Sequence, residues 1–167
     1  MRLLPCLVVL AAAIPTAAAA DPPILSVEPR VGRGISLGGG AGEGHVRISP
    51  MTVGVLVEYA LRADPWIAAY GGPYAEVLDR GAIGVSGGVR LHPGDGWARF
   101  GLGGVGVLAP YTLAGVTASV GARVRLLGSI PVSFDVEGAA FFVGSDLPEG
   151  RVAGQIQLVV GFPLEVY

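Results

Sequence analysis

The residues in this sequence with the clearest potential for chemistry are its two histidines and an adjacent serine and aspartate, Ser145 and Asp146. His45 lies in a polar glycine-rich stretch and His92 begins the turn HPGDG, so we expect two solvated histidines at opposite ends of the fold. Histidines that far apart share no metal ion. Ser145 and Asp146 lie in the segment SDLPEG, but a serine nucleophile needs a base, and no histidine is predicted beside it. We therefore expect no enzyme activity, no cofactor, no metal and no catalytic residue.

The charged residues are more regularly spaced than these candidates. Two segments near the C-terminus, AGVTASVGARVRLL and PVSFDVEGAAFFV, flank the turn GSI, and in both of them polar residues alternate with small apolar ones. This period of two predicts the two strands of a hairpin that carries its charges on one face.

Unlike charges should meet across this hairpin. With Ser129 at the apex of the turn, Arg123 faces Asp135, and Arg125 and Glu137 lie one step away along the diagonal. The hairpin therefore predicts ion pairs between its two strands.

Nearly every other segment after residue 20 repeats this alternation. One face carries Val, Leu, Ile, Ala and Phe, and the other carries Gly, Ser, Gln and charged residues. The charged residues predicted to share the polar face are Glu28, Arg30, Glu58, Glu76, Arg90, Arg99, Arg123, Arg125, Asp135, Glu137 and Arg151. In the least regular segment, WIAAYGGPYAEVL, the alternation places Trp66, Tyr70 and Tyr74 on the polar face. The glycine-rich stretch GGGAGEGHVRISP is predicted to be a loop.

The composition of the 167 residues limits the class of protein. Only 14% of the residues are charged, 51% are hydrophobic and the mean hydropathy is +0.62, so an apolar environment must cover much of the chain. After residue 20 there is no run of about 20 apolar residues, which disfavours a transmembrane helix. The formal net charge of -2 offers no basic surface for nucleic acid.

Residues 1–20 have the order of a secretory signal peptide. Arg2 precedes an apolar stretch, and small residues with an A-x-A cleavage pattern end the segment before Asp21. Cys6 lies inside this signal, so the mature chain has no thiol and forms no disulfide. We expect an exported chain whose residues 21–167 form a single domain.

The alternating segments number about eight, and each is near the roughly 9 to 11 residues that a tilted strand needs to cross a bilayer. An even number of strands returns both termini to one side. The connections on that side are short and two of those on the other side are longer, as in bacterial outer-membrane barrels. The sequence therefore predicts an all-β fold, a single antiparallel up-and-down transmembrane β-barrel.

Two kinds of barrel fit this alternation, and they differ in which face of the sheet they enclose. A soluble barrel of lipocalin type encloses its apolar face, whereas an outer-membrane barrel turns that face to lipid and encloses its charges. The scarcity of ions on the polar face and the absence of lysine favour the outer-membrane barrel. Charges enclosed in a narrow lumen must be paired, so we expect a structural salt-bridge network and no wide pore. The residues of this predicted network are Glu28, Arg30, Glu58, Arg90, Arg99, Arg123, Arg125, Asp135 and Glu137.

Over about residues 24–167 the chain resembles the small eight-stranded outer-membrane barrels of Gram-negative bacteria, the family that includes the OmpA and OmpX types. The resemblance lies in the signal peptide, the alternating strands, the charged lumen and the terminal aromatic Tyr167. It implies insertion into outer-membrane lipid and recognition of Tyr167 by the barrel assembly machinery. A bulge near Pro163 would bring the last strand into the phase of that terminal signal.

Four aromatic residues lie near predicted strand ends, namely Tyr59, Trp66, Trp97 and Tyr111. They form either an aromatic girdle at a membrane interface or packing inside the barrel. The sequence leaves both arrangements open.

Three functions remain open from the sequence. The first is a non-enzymatic, porin-like outer-membrane barrel with a closed lumen and either a structural role or a recognition role for its outer loops. The second is an outer-leaflet barrel enzyme that modifies lipid. The third is a soluble periplasmic barrel that binds an apolar ligand. We expect the first.

Overall fold

The structure is a computed structural model that describes residues 23–40, 43–63, 66–78, 81–94, 96–126, 130–147 and 151–166. The predicted signal peptide of residues 1–20, Ser129 and Tyr167 lie outside the described residues. Within the described ranges every regular element is a β-strand. No helix in these ranges has the length and hydropathy to cross a membrane.

Ten strands follow one another along the described part of the chain. They are β1 (Leu25–Gly40), β2 (Glu43–Ile48), β3 (Met51–Ala63), β4 (Trp66–Val77), β5 (Ala82–His92), β6 (Ala98–Ala109), β7 (Leu113–Leu126), β8 (Ile130–Gly144), β9 (Ala153–Gly161) and β10 (Leu164–Val166). Strands form here because valine, isoleucine, threonine and aromatic residues alternate with small polar ones. Glycine, proline and aspartate end the strands at the connections.

These strands form one antiparallel sheet that closes on itself. Neighbouring strands pair in the order β1, β3, β4, β5, β6, β7, β8 and β9, and β9 pairs back onto β1. After an interruption at Ser49 and Pro50, β2 takes the place of β3 beside β1, and β10 likewise continues β9 after Phe162 and Pro163. The predicted all-β, eight-stranded antiparallel barrel is confirmed.

The glycine-rich stretch after β1 was predicted to be a loop, and this prediction is wrong. Its second half forms β2, which pairs with the end of β1. The alternation continues through it, because Val46 lies opposite Leu37 and Ile48 lies opposite Ile35. The resulting hairpin prolongs the sheet at the end of the barrel away from the chain termini. We call this the far end, and the opposite one the terminal end.

The register of the strand pairs determines the tilt of the strands. From Val27 of β1 the paired residues lead through the sheet to Gly154 of β9, which pairs with Leu37 of β1. One circuit therefore returns to β1 ten residues beyond its start. With a rise of about 3.3 Å per residue and strands about 4.8 Å apart, this stagger gives a tilt of about 40°. An eight-stranded barrel of this tilt has an interior that side chains can fill.

The two faces of the barrel wall have opposite character. On β6 the outward Leu102 is 68% exposed, whereas the inward Arg99 is 0% exposed. Most large hydrophobic side chains face outward, and most charged or polar side chains face inward. The predicted strand phases agree with this division, including that of β4, whose Trp66, Tyr70 and Tyr74 face inward.

Pro163 interrupts the last strand without changing its phase. The exposed Phe162, Leu164 and Val166 continue the outward row of β9, and Glu165 faces inward. No bulge near Pro163 brings the last strand into the phase of the terminal signal, because the chain resumes its pairing with β1 in the same alternation.

The β7–β8 hairpin is present, but its register differs from the predicted one by two residues. Arg123 pairs with Ser133, and Gly121 pairs with Asp135. In this register Arg123 is displaced from Asp135 by two residues along the hairpin. A shift of two residues keeps every side chain on the same face, so the alternation does not distinguish the two registers.

Two adjacent glycines on β4 test the assignment of the faces. A β-carbon on the inward Gly72 would overlap the backbone carbonyl of Val55, whereas one on the outward Gly71 would make ordinary contacts with Ser86 and Gly87. We expect Gly72→Ala to lower the free energy of unfolding by about 1–3 kcal/mol because the strands must move apart. Gly71→Ala should change it by less than about 0.5 kcal/mol. Urea unfolding followed by tryptophan fluorescence measures both, and equal losses would contradict the assignment.

Candidate functional site

Arg99 on β6 is the centre of the first group of buried charges. Its Nη1 and Nη2 donate to the two carboxylate oxygens of Glu28 at 2.8 and 3.0 Å, in a bidentate arrangement. Its Nε donates to Oδ1 of Asp135 at 2.6 Å, and Nη2 also contacts the second oxygen of Asp135. The hydroxyl of Ser133 donates to Glu28 at 2.9 Å. In the strand order β1 lies four strands from β6, on the opposite wall, so the Arg99–Glu28 pair spans the lumen.

Glu58 on β3 is the centre of a second group. It accepts from Nη1 of Arg90 at 2.8 Å and lies 2.8 Å from Nε2 of His92, so this ring nitrogen carries the proton. Nη2 of Arg123, on the opposite wall, lies 3.7 Å from the same carboxylate. Nη1 of Arg123 donates to Glu165 of β10 at 2.8 Å. Three Arg or His side chains therefore converge on one carboxylate.

Two further ion pairs lie at the edges of these groups. Arg30 pairs with Glu137 toward the far end, where both side chains are less than one fifth exposed. Arg125 lies 3.6 Å from Glu165 near the terminal end, and half of its side-chain surface is exposed. The charges at the two edges are thus more accessible than those of the two central groups.

A small cavity lies on the far-end side of the Arg30–Glu137 pair. The centres of water molecules can occupy about 40 Å³ of it, which is room for a few waters. Arg30, Glu137 and Gln157 line one part of this cavity, and Leu56 and Phe141 line another.

Packed side chains narrow the lumen at both ends. At the far end Ala82, Val107 and Phe141 form a buried apolar cluster. At the terminal end the ring of Trp66 stacks on His92, with a centroid separation of 4.0 Å and an interplanar angle of 16°. Gly96, held at a φ of +77°, lies against that tryptophan ring in the turn after β5. The ion pairs therefore lie between an apolar layer and an aromatic one.

The predicted solvated position of His92 is wrong. His92 is 0% exposed and belongs to the inward row that Arg90 also occupies. The turn residues Pro93 and Gly94 begin only after it. The alternation of β5, extended by one step from Arg90, predicts that His92 faces inward.

Of the four aromatic residues at strand ends, two make contacts inside the barrel and two are exposed on its outside. Trp66 faces the lumen, and the hydroxyl of Tyr111 donates to buried Glu76 at 3.0 Å. Tyr59 and Trp97 are exposed by 53% and 42%, and both lie toward the terminal end.

Each of the nine residues of the predicted network takes part in at least one ion pair. The partners differ from the expected ones, because Asp135 binds Arg99 and Arg123 binds Glu165. Sequence reasoning missed Glu165 and His92 as members. Glu165 is separated from Gln155 and Gln157 by an even number of positions, so it belongs to the same alternating row of the last segment. This alternation could have placed Glu165 in the lumen.

The candidate nucleophile Ser145 has a structural contact. Its backbone N–H donates to the carbonyl of Thr112 at 2.9 Å, and its hydroxyl accepts from the N–H of Thr112 at 3.1 Å. These bonds join the connection after β6 to the connection after β8 at the far end. His45 lies on β2 at the same end, whereas His92 lies at the terminal end. Within the described ranges no group of three side chains is arranged to hold a metal ion.

Neither a protein-family model nor a curated protein matches this sequence. The class of the protein therefore follows from its geometry. It is a closed eight-stranded antiparallel β-barrel with an apolar outer wall and paired charges inside.

Removal of Asp135 tests whether the buried pairs stabilise the barrel. We expect Asp135→Ala to lower the free energy of unfolding by about 3–5 kcal/mol, because Arg99 stays buried with only one of its carboxylates. Arg125→Gln is the matched control, and it should cost less than about 1 kcal/mol because that side chain is half exposed. Urea unfolding of the refolded variants measures both, and an unchanged midpoint for Asp135→Ala would refute a stabilising network.

Proposed function

We propose that this protein is an integral outer-membrane β-barrel that is exported by the signal peptide of residues 1–20, has a closed lumen and has no enzyme activity. The observation that carries this proposal is the outer wall. Large hydrophobic side chains on its surface are exposed by between 36% and 68% on every strand except β4. A soluble monomer rarely exposes an apolar surface that extensive, whereas lipid covers it in a membrane barrel.

The height of this apolar wall matches a bilayer. On β3 every second residue from Met51 to Leu61 is outward, and these residues are aliphatic except for Tyr59. Ten residue steps at about 3.3 Å and a tilt of about 40° correspond to roughly 25 Å, the height of the apolar band of outer-membrane barrels. The exposed Tyr59 and Trp97 lie near the terminal-end edge of this band, where aromatic side chains of membrane barrels meet the interface.

The lumen favours this function over the two alternatives. A soluble barrel that binds an apolar ligand needs an apolar interior, but here ion pairs occupy the interior and the cavity has room for only a few waters. A lipid-modifying enzyme needs an activated nucleophile near the outer leaflet. Ser145 is instead joined to Thr112, and His45 is the only described histidine at that end.

The far end is the part of the molecule suited to contact with the exterior. Leu25, where β1 begins, and Val166, where β10 ends, lie at the opposite end, which in this proposal faces the periplasm. We propose that Tyr167 is recognised by the barrel assembly machinery. At the far end the β1–β2 hairpin extends the sheet, and Val46 and Ile48 on it are 68% and 64% exposed. We propose a structural role in the membrane or recognition by these far-end segments, with outer-membrane lipid as the surrounding partner.

Fractionation of a Gram-negative host that expresses the full chain tests the membrane location. We expect the protein in the outer-membrane fraction, resistant to alkaline extraction, with faster gel migration before heating than after it. Such heat-modifiable migration reflects a barrel that stays folded in detergent. Recovery in the soluble fraction would refute the proposal.

A charge placed on the wall tests whether lipid covers it. Leu102 lies near the middle of the outward wall and Leu126 lies at its terminal-end edge. We expect Leu102→Arg to lower the stability of the barrel in lipid vesicles by about 2–4 kcal/mol, and the control Leu126→Arg to cost at most about 1 kcal/mol. Unfolding in vesicles measures the difference. Equal and small effects would indicate that water covers the wall.

A further inference from the structure

A charged residue lies within the apolar wall of the barrel. Arg33 lies in the middle of β1, exposed on the outward row between Val31 and Ile35. Its partner on β9 is Leu158, which is 57% exposed. Among the described residues, none forms a hydrogen bond or ion pair with the Arg33 side chain.

The depth of Arg33 in the wall permits a charge there. Gly32 pairs with Thr52, so Arg33 lies level with Met51, where the outward row of β3 begins. The exposed Ile35 and Leu37 continue the outward row of β1 beyond Arg33, so Arg33 lies between the middle of the apolar band and its far-end edge. A charge on the lipid face costs most at the midplane and at most about 1 kcal/mol near the interface. The flexible stem of arginine can also extend along the wall toward the headgroups.

We propose that Arg33 binds the phosphate of an anionic lipid headgroup in the leaflet at the far end of the barrel. This inference rests on the proposed membrane function. The guanidinium presents five N–H donors in a planar fork that matches the oxygens of a phosphate. An apolar wall on both sides of Arg33 suits the acyl chains of the same lipid.

Charge complementarity favours a lipid over a second copy of the chain. The outward rows of the described strands carry no Asp or Glu, so a second barrel lying alongside would offer no carboxylate to Arg33. The backbone N–H groups of Gly34 and Ser49, at the nearby interruption between β2 and β3, are already bonded and add no donor for a phosphate. There the N–H of Gly34 donates to the hydroxyl of Ser49, and the N–H of Ser49 donates to the carbonyl of Gly34.

Lipid retention measures this binding directly. The full protein is reconstituted with equal amounts of phosphatidylglycerol and phosphatidylcholine, extracted in mild detergent, and its retained lipids are identified by native mass spectrometry. We expect the unchanged protein to retain phosphatidylglycerol preferentially. Arg33→Leu should lower that preference about fivefold, the factor expected for one arginine at an anionic surface. Arg33→Lys should keep most of it because the charge remains.

Leu158→Ala is the matched control, because Leu158 lies beside Arg33 on β9 and its replacement removes no charge. It should leave the preference unchanged. Gel migration before heating shows whether each variant is folded, and Arg33→Gln provides a second variant if Arg33→Leu does not fold. An unchanged preference in Arg33→Leu and Arg33→Gln, an equal loss in Leu158→Ala, or a change in oligomeric state instead would overturn the inference. If the unchanged protein does not enter vesicles, the proposed membrane function itself fails.

Discussion

The rest of the barrel depends on the ion pairs between Arg99, Glu28 and Asp135. A buried ion costs several kcal/mol unless its partners lie in place, and these three residues come from β6, β1 and β8. The Arg99–Glu28 pair spans the lumen, so it forms only when β9 has paired with β1 and closed the sheet. Closure of the wall and neutralisation of the interior are therefore a single event. The same dependence explains why each group of charges draws its members from strands on different sides of the barrel.

Glycine is as necessary to this interior as arginine. A β-carbon on Gly121 would overlap the carboxylate of Asp135, and one on Gly161 would overlap the carboxylate of Glu28. Both glycines therefore leave space for an acid that belongs to the Arg99 group. In a barrel this narrow, a long charged side chain fits only where its neighbours on the wall are small.

The sequence predicted the strands, their phases and the closed barrel, because period-two alternation is a local property that each segment carries by itself. It did not predict which charges pair. The register of the β7–β8 hairpin was wrong by two residues, since such a shift leaves every side chain on its face and only the turn distinguishes the alternatives. The partners of Arg99 and Glu58 lie on strands distant in sequence, and no local pattern encodes those contacts. His92 was misplaced because the proline and glycines after it gave a turn signal that outweighed the alternation before it.

β1 has an unusual place in the order of the chain. It is the first of the described strands, yet one of its edges pairs with β9 and β10, the last two of them. Until β9 has been synthesised this edge has no partner, and the apolar rows of the intervening strands are not yet part of a closed wall. A contact between the two extremes of a chain is slow to form and leaves aggregation-prone surface exposed meanwhile. The nascent polypeptide therefore has to be shielded by something other than its own fold until β9 and β10 have been synthesised.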